Sequence, residues 1–245
     1  MSGQKFPRFT LAEVVADMPD NTQIAAYIDF HKYRYLLILH LITNLIEEEK
    51  LGSSGHILDV GPAYQTHLIR KFFPAFSIHS LGIEHLLNQR KEQEFHLNQD
   101  LNFGIETPDQ HKNTIDLVVF AEVLEHLYTP PTQVLKYLCG FIKPGGIMIL
   151  QTPNAVALDR RLKMLMGKNP YNLIAAHRQN HFREYTLSEL KHFAKESGME
   201  PFFQLRQNYF NPDKTFPQRL YRRLNNFMPA SLRDGITLML KKVDG

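Results

Sequence analysis

Four acidic side chains recur along the chain where an apolar run ends: Asp59, Glu84, Asp100 and Glu122. The carboxyl ends of the strands in a parallel sheet meet along one edge, and nucleotide-like ligands bind there. A carboxylate at that edge can accept hydrogen bonds from both hydroxyls of a ribose or from an exocyclic amine, and it attracts an ammonium or sulfonium cation. The spacing therefore predicts one shared binding site, although each acid alone is also typical of an exposed loop.

The turn after Asp59 gives the sharpest local signal. The apolar run 56–60 is followed by Gly61, and a helical pattern begins around Leu68, as expected for a buried strand, a tight turn and a helix. Gly61 has no Cβ, so it permits a positive φ and close approach of a ligand to the backbone. The dinucleotide pattern G-x-G-x-x-G is missing and Pro62 lacks an amide donor, so the turn favours a cationic ligand over a phosphate. A strand, turn and helix without any ligand remains the alternative.

A second group follows the run 115–121, which is the clearest buried strand in the sequence. Glu122, Glu125 and His126 lie at positions i, i+3 and i+4, which share one face of a helical turn, so two carboxylates and an imidazole should converge at the same sheet edge. His181 precedes a predicted helix that should return to this rim. An imidazole with an unperturbed pKa of about 6.5 suits a general base, which makes His126 and His181 the candidate catalytic residues. Helix capping or shaping of a pocket is the alternative role.

Alternating strand and helix patterns predict an α/β fold with a doubly wound parallel sheet and helices on both faces. The predicted strands are 56–60, 76–84, 95–97, 115–121, 147–151, 202–207 and 236–241, and the predicted helices are 21–50, 68–73, 86–94, 132–142 and 186–197. Thr186 and Glu189 form a capping-box pattern at the start of the last helix. The final two strands are expected to pair at one edge of the sheet.

The same patterns divide the chain into an N-terminal helical extension, 1–52, packed on the core, and a main domain, 53–245. The main domain carries a helical insertion at 155–180 and a basic, aromatic connection at 209–234. Residues 206–245 hold eight Lys or Arg and three Asp. Such a segment is typical of an amphipathic helix packed on the sheet, but also of a surface that binds RNA, an anionic glycan or a membrane.

Composition excludes several classes of protein. A formal charge of +3 is too small to indicate nucleic-acid binding by itself. The single cysteine, Cys139, excludes an internal disulfide and fits a reducing compartment. The N-terminus lacks the apolar segment of a secretory signal, and the most apolar run, 35–46, is too short to span a bilayer. We therefore expect a cytoplasmic protein.

Together these motifs resemble the class I S-adenosylmethionine-dependent methyltransferases. The matching segments are, in order, Ile57–Gly61, Gly82–Glu84, Asn98–Leu101, Ile115–Val118, Glu122–Leu127 and Ile142–Gly146. The resemblance covers roughly 55–207. It implies a Rossmann-like, seven-stranded sheet whose last strand is antiparallel, with S-adenosyl-L-methionine as the cofactor.

The resemblance also implies which residues contact the cofactor. These are Asp59 and Gly61 for the methionine part, Glu84 for the ribose, Asp100 with Leu101 for the adenine, and Glu122 beside them. The first turn departs from the family, which usually has two or three glycines where this chain has Gly61 followed by Pro62, Ala63 and Tyr64. A reshaped pocket, or a methyltransferase fold that no longer binds the cofactor, is therefore an open alternative.

A finer resemblance concerns the second group. The elements E-x-x-E-H at 122–126, Thr-Pro-Asn at 152–154 and His-x-x-Glu-aromatic-Thr at 181–186 look like the metal-dependent small-RNA 2′-O-methyltransferases, and ubiquinone-pathway O-methyltransferases share the first element. This resemblance implies a divalent ion, Mg²⁺ or Mn²⁺, held by Glu122, Glu125, His126 and His181. Such an ion lowers the pKa of an attacking hydroxyl and orients it, and two oxygen with two nitrogen ligands suit Mn²⁺ at least as well as Mg²⁺.

The leading hypothesis is an enzyme that methylates a hydroxyl group of a small molecule or a sugar, so its partner is a small-molecule or glycan acceptor. One alternative is the 2′-hydroxyl of an RNA end, which is less favoured because the charge is modest and no RNA-binding module is recognisable. Another is a non-catalytic binding protein with the same fold. Peripheral membrane contact through 209–234 is considered as well.

Overall fold

A mixed seven-stranded sheet forms the centre of the protein. The computed structural model describes residues 9–83, 90–103, 106–173, 180–210, 219–220, 223 and 227–243. The strands are β1 (Gly55–Val60), β2 (Phe76–Leu81), β3 (His96–Leu97), β4 (Ile115–Ala121), β5 (Ile142–Pro153), β6 (Met199–Gln207) and β7 (Gly235–Lys242). Their order across the sheet is β3-β2-β1-β4-β5-β7-β6.

The strand pairing confirms the predicted fold class. Strands β1 to β5 pair in parallel, whereas β7 is antiparallel to both of its neighbours, β5 and β6. The last two strands pair at one edge, as expected, with β6 outermost. The strand order reverses between β1 and β4, which are neighbours in the sheet. A doubly wound sheet opens a ligand crevice at such a point.

The strands are almost continuously apolar because helices cover both faces of the sheet. Successive side chains point to opposite faces, so Leu58 and Val118 belong to one buried cluster while Ile57 and Leu117 belong to the other. The helices are α1 (Leu11–Val15), α2 (Thr22–Glu47), α3 (Tyr64–Phe72), α4 (Pro131–Phe141), α5 (Leu158–Leu165) and α6 (Leu187–Glu196). The predicted capping box of Thr186 and Glu189 begins α6.

Helix α2 lies against the sheet and contributes the side chains of Tyr27 and Arg34 to the site described below. Asn21 caps it by accepting hydrogen bonds from the amides of Gln23 and Ile24. The residues before it include α1, whose Val14 is fully buried; the Val14 carbonyl accepts a 2.8 Å hydrogen bond from the Tyr64 hydroxyl. The predicted boundaries of the helical extension and main domain stay a prediction.

The predicted helix 86–94 is wrong in its described part. Residues 84–89 lie outside the described residues, and 90–94 form a turn rather than a helix. The reason is Glu94, whose carboxylate turns inward and accepts hydrogen bonds from Arg70 and from the amide of Ile78. A segment whose carboxylate closes a turn onto a strand in this way does not continue as a helix.

Tyr209, the first residue of the predicted connection 209–234, is fully buried under β7. Its ring lies directly over Gly235, where an added Cβ would come within 2.2 Å of the ring carbon Cζ. The ring therefore requires glycine at this position. Its hydroxyl donates to the carbonyl of Ile236 at 3.2 Å, which fixes the segment after β6 close to the end of β4.

Substituting Gly235 with alanine is expected to lower the free energy of unfolding by ~1–3 kcal/mol, because the new methyl group overpacks the site. Urea denaturation measures this directly. The matched control introduces Gly235→Ala into a Tyr209→Leu background, where the substitution should cost less than in the wild type. Equal costs in both backgrounds would show that the ring contact is not the cause.

Candidate functional site

A cavity of about 290 Å³ opens at the carboxyl ends of the central strands. Its walls come from the turns after β1 to β4 and from α2. The predicted residues that line it are Gly61, Asp100, Leu101, Glu122 and His126. Glu84, the predicted ribose ligand, lies outside the described residues. We refer to this space as the strand-end cavity.

Gly61 forms the floor of the strand-end cavity. Its φ is +79°, and an added Cβ would lie 2.7 Å from the Cγ2 atom of Val123, so a larger residue would be both strained and blocked. The Gly61 amide donates to the carbonyl of Leu81 at 2.8 Å, which holds the turn against β2. Pro62 and Ala63 also line the cavity, so the glycine-poor turn still leaves an open space.

Asp59 is not among the residues that line the strand-end cavity, and its predicted contact with the ligand stays a prediction. Its side chain is fully buried and accepts hydrogen bonds from Gln65 Nε2 at 2.7 Å and from the Thr66 hydroxyl at 2.6 Å. Because strand side chains alternate between faces, a residue that ends a strand can point away from the crevice. Asp59 instead orients Gln65, which does line the cavity.

Burial raises the pKa of Asp59 to about 6, although its hydrogen bonds to Thr66 and Gln65 lower it. The unfolded chain has an Asp pKa of about 3.9, so the folded protein holds this proton more tightly. That stabilisation is fully present below pH ~4 and is lost as the pH rises through about 6.

We therefore expect the free energy of unfolding of the wild type, relative to an Asp59→Asn variant, to fall by ~3 kcal/mol between acidic and neutral pH. Urea denaturation of both proteins at several pH values between these limits measures the difference. A difference that does not change with pH would contradict the raised pKa of Asp59.

Arg34 is a cavity residue that the sequence interpretation missed. It lies on α2, is only 3% exposed, and lines the strand-end cavity. Its Nη1 donates to Gln65 Oε1 at 2.9 Å, so Asp59, Gln65 and Arg34 form one chain of hydrogen bonds. A buried guanidinium beside an open cavity suits an anionic group such as a carboxylate. Its position on the apolar face of α2, four residues before the buried Ile38, was the signal that could have revealed it.

Asp100 and Leu101 lie together on the wall opposite α2. Asp100 Oδ1 accepts hydrogen bonds from the backbone amide and the side-chain amide of Asn102, at 3.0 and 3.1 Å. Asn102 Oδ1 in turn accepts from the amide of Tyr128 at 2.9 Å. The loop after β3 is therefore tied to the segment after β4 at the rim of the cavity, and the adenine contact stays a prediction.

Glu122 occupies a strained backbone position at the cavity wall. Its φ is +58°, which costs a residue other than glycine ~1–3 kcal/mol and is concentrated at functional sites. Burial, followed by the negative charge of Glu125, raises the pKa of Glu122. The carboxyl group also accepts a long hydrogen bond, 3.4 Å, from the Tyr209 hydroxyl.

Glu125, His126 and His181 converge beside the strand-end cavity. Each offers one potential ligand atom, and these atoms lie within 4.8 Å of one another. His126 Nε2 is 3.9 Å from Glu125 Oε1, and the two imidazole rings are edge-to-face at 4.9 Å. Glu122, the fourth predicted metal ligand, is not part of this group, although its pKa shows that it neighbours Glu125.

Hydrogen bonds hold this cluster together between segments that lie 54 or more residues apart in sequence. The amides of Phe182 and Arg183 both donate to the carbonyl of Glu125, at 2.7 and 3.1 Å. His126 Nδ1 contacts the carbonyl of Asn180 at 3.1 Å. The segment that carries His181 is thus fixed directly to the turn after β4.

The hydrogen bonds also indicate the tautomer of each imidazole. The partners of the two Nδ1 atoms are acceptors only: the Asn180 carbonyl for His126, and Glu184 Oε1 at 3.0 Å for His181. Each Nδ1 therefore acts as the donor, which makes Nε2 the basic nitrogen of the neutral ring. Metal-binding histidines are commonly oriented in this way by a carbonyl or a carboxylate.

Glu125 is the most deeply placed member of the cluster. Its Oε2 accepts from the Thr152 hydroxyl at 3.1 Å, while its buried Oε1 meets no hydrogen-bond donor within the described residues. Burial raises the pKa of Glu125. A buried carboxylate oxygen without a donor suits either a shared proton or a cation.

Comparison with known proteins decides the family. Residues 30–201, more than two thirds of the chain, match the family model described as a methyltransferase domain. The chain belongs to this family. The match spans the turn after β1, the cavity wall and the Glu125–His126–His181 cluster.

A similar curated protein is the ubiquinone biosynthesis O-methyltransferase of Ralstonia nicotianae. The two sequences are 29% identical over 99 residues, which are 40% of this chain and 41% of the relative. The chain therefore matches less than half of the relative's length.

Solved structures show the same fold at low sequence identity. One is the 1,6-didemethyltoxoflavin-N1-methyltransferase of Burkholderia thailandensis, with S-adenosylhomocysteine bound: TM-score 0.58, 14% identity, covering 96% of this chain and 87% of that one. Others are S-adenosylmethionine-dependent methyltransferases from Mesorhizobium loti (TM-score 0.53, 11% identity, 80% and 95% covered) and Archaeoglobus fulgidus (TM-score 0.51, 14% identity, 89% and 99% covered). The predicted methyltransferase activity and the predicted cofactor, S-adenosylmethionine, are confirmed by these comparisons.

Across the described residues, no helix is both long enough and apolar enough to cross a membrane.

Proposed function

We propose that this methyltransferase transfers the methyl group of S-adenosylmethionine to a hydroxyl group of a small molecule or sugar. The observation that carries the proposal is the placement of Glu125, His126 and His181 beside the strand-end cavity. Carboxylate and imidazole groups at the methyl end of a cofactor pocket suit the binding and deprotonation of a hydroxyl. The O-methyltransferase among the curated relatives supports the same chemistry.

In this proposal, the turn at Gly61 would hold the cofactor, and Asp100 with Leu101 would hold its adenine. Arg34, which Gln65 and Asp59 hold in place, would bind the methionine carboxylate. Glu122 lines the same cavity; burial and Glu125 raise its pKa, and a sulfonium cation bound beside it would favour its charged form. The pocket therefore orients the donor by an anion site and a cation site on opposite sides.

The donor set fits a divalent ion. Glu125 Oε1 is buried beside the two imidazoles, and Nδ1 is the donor nitrogen in both rings, so Nε2 is the potential ligand atom of each histidine. Glu125, His126 and His181 would hold the ion, with Glu122 next to them, and one carboxylate oxygen with two nitrogens suits Mn²⁺ at least as well as Mg²⁺. When bound, such an ion supplies Lewis-acid activation of the acceptor hydroxyl.

The transfer itself needs alignment more than strong base catalysis. The hydroxyl oxygen attacks the methyl carbon from the side opposite the sulfur, so the C–O bond forms as the C–S bond breaks and neutral S-adenosylhomocysteine leaves. The hydroxyl proton passes to a nearby acceptor such as His181 Nε2 or to solvent. Holding the two atoms in line contributes most of the rate gain.

The test is a methyl-transfer assay with labelled S-adenosylmethionine and a panel of phenols, methyl glycosides and primary amines, with and without Mn²⁺. We expect the product to carry the methyl group on oxygen and the rate to fall when a chelator is added. Methylation of the amines with no transfer to any hydroxyl would overturn the proposal.

A second candidate is the 2′-hydroxyl of an RNA end, which the combination of two histidines with Glu125 supports. The modest net charge of +3 disfavours it. RNA binding that weakens steeply with salt would favour this candidate, because phosphate contacts release counterions.

A further inference from the structure

Helix α5 faces the protein with its polar side. Arg160 donates to Glu184 from Nε at 3.1 Å and from Nη2 at 2.9 Å, and the Glu184 side chain is only 4% exposed. The opposite side holds Leu162 and Leu165, which are 48% and 83% exposed. None of the residues of α5 is buried.

This orientation is the reverse of the usual one. Leu158, Leu162 and Leu165 lie at positions i, i+4 and i+7, which form a single stripe on a helix. Such a stripe normally covers the core of a globular protein. Here the salt bridge of Arg160 with Glu184 holds Leu162 and Leu165 toward solvent, while Leu158 is half-buried. Among the described residues, no apolar group covers Leu162 and Leu165.

Exposed apolar side chains are concentrated in and after α5. Six of the 18 exposed large hydrophobic residues in the described part of the chain fall within 162–173, namely Leu162, Met164, Leu165, Met166, Tyr171 and Leu173. Single exposed apolar residues are common, whereas contiguous groups mark interaction surfaces. We call this group the α5 surface.

Charge indicates what the α5 surface contacts. Residues 158–173 contain four basic residues and a single acid, Asp159. Arg160 pairs with Glu184, whereas Arg161 and Lys168 are exposed and Lys163 is half-buried, 3.8 Å from Asp159. Basic residues beside an apolar stripe are typical of a helix that lies in the headgroup layer of an anionic membrane. A second copy of the chain would bring like charges together.

We propose that the α5 surface docks the protein on an anionic membrane surface. Leu162, Leu165 and Met166 enter the apolar boundary, and Arg161, Lys163 and Lys168 contact the headgroups. Glu184 is hydrogen-bonded both to Arg160 and to His181, so docking places the membrane beside the Glu125–His126–His181 cluster. This surface differs from the connection 209–234.

Vesicle co-sedimentation tests the proposal. The full chain should bind vesicles that contain phosphatidylglycerol and should bind pure phosphatidylcholine vesicles more weakly. The double variant Leu165→Glu, Met166→Glu should lose at least ~10-fold in affinity, because two negative charges replace apolar side chains that enter the membrane boundary. Both positions are exposed, so circular dichroism melting should be unchanged and binding of S-adenosylhomocysteine should be retained.

Two matched controls place a new charge on other exposed apolar residues: Val243→Glu, which is 52% exposed in the wild type, and Phe227→Glu, which is 85% exposed. Both should bind vesicles like the wild type. The proposal is overturned if the wild type binds no vesicle, if the double variant binds as well as the wild type, or if Phe227→Glu alone abolishes binding. Light scattering that shows a dimer dissociated by the double variant would also overturn it, in favour of a second copy.

Discussion

Replacing Glu125 with glutamine is expected to reduce kcat/KM for methyl transfer by ~10²–10⁴-fold, the range lost when one positioned acid–base or metal-binding group is removed. Glutamine has the same shape and can keep the hydrogen bond from Thr152, so the fold should persist. The change removes the negative charge of Oε1, which no donor compensates in the described structure. Steady-state kinetics with Mn²⁺ present, together with metal analysis of the purified variant, measures both consequences.

Histidine variants provide the matched comparison. His181→Asn, like Glu125→Gln, should lose both bound metal and activity. His192→Asn should retain both, because His192 is an exposed residue of α6 that pairs with Glu196. If Glu125→Gln kept wild-type activity in the presence of a chelator, the metal account would be wrong. Activity lost only in His181→Asn, while Glu125→Gln and the chelator-treated wild type remain active, would indicate a general base acting without an ion.

The second large effect concerns Arg34. Substitution with methionine keeps the bulk of the side chain but removes the guanidinium from the strand-end cavity. We expect S-adenosylhomocysteine to bind ~100-fold more weakly, since removing one partner of a buried charge pair typically costs 2–5 kcal/mol, and 1.4 kcal/mol is a factor of ten. Calorimetric titration measures this loss.

A ligand that lacks the amino-acid part isolates the cause. Methylthioadenosine has no carboxylate, so its affinity should be nearly equal for the wild type and Arg34→Met. Lys32→Met is the control on the same helix, because Lys32 pairs with Asp29 on the exposed side. If both ligands lost affinity equally, Arg34 would be supporting the shape of the cavity and not binding the carboxylate.

Features set by local sequence were predictable. The run Ile115–Ala121 is buried on both faces and reads as a strand from its residues alone. The turn at Gly61 is likewise fixed by a positive φ that its sequence context indicates. Because the order of strands and helices determines where strand ends meet, the cavity could be located before the structure was known.

Features set by distant contacts were not predictable. Arg34 reaches the cavity through Gln65, which is 31 residues away, and no motif links the two. Asp59 was assigned to the ligand, but Gln65 and Thr66 enclose its carboxylate. Sequence spacing cannot show which of two polar neighbours will take a hydrogen bond.

The metal-type cluster illustrates both cases. Spacing brought Glu125 and His126 together and placed His181 at the same rim, as predicted, but the turn is a 3₁₀ helix over Leu124–His126 and begins only after Glu122. Glu122 has a positive φ and is not part of the group of three. The i, i+3, i+4 rule assumed an α-helical turn that the strained backbone does not form.

The most direct test of the central claim is a crystal structure with S-adenosylhomocysteine. The account predicts that the ligand fills the strand-end cavity, with its adenine at Asp100 and Leu101, its carboxylate on Arg34 and its sulfur facing Glu122 and His126. Density for the ligand elsewhere on the protein, or an empty cavity at saturating ligand, would contradict it.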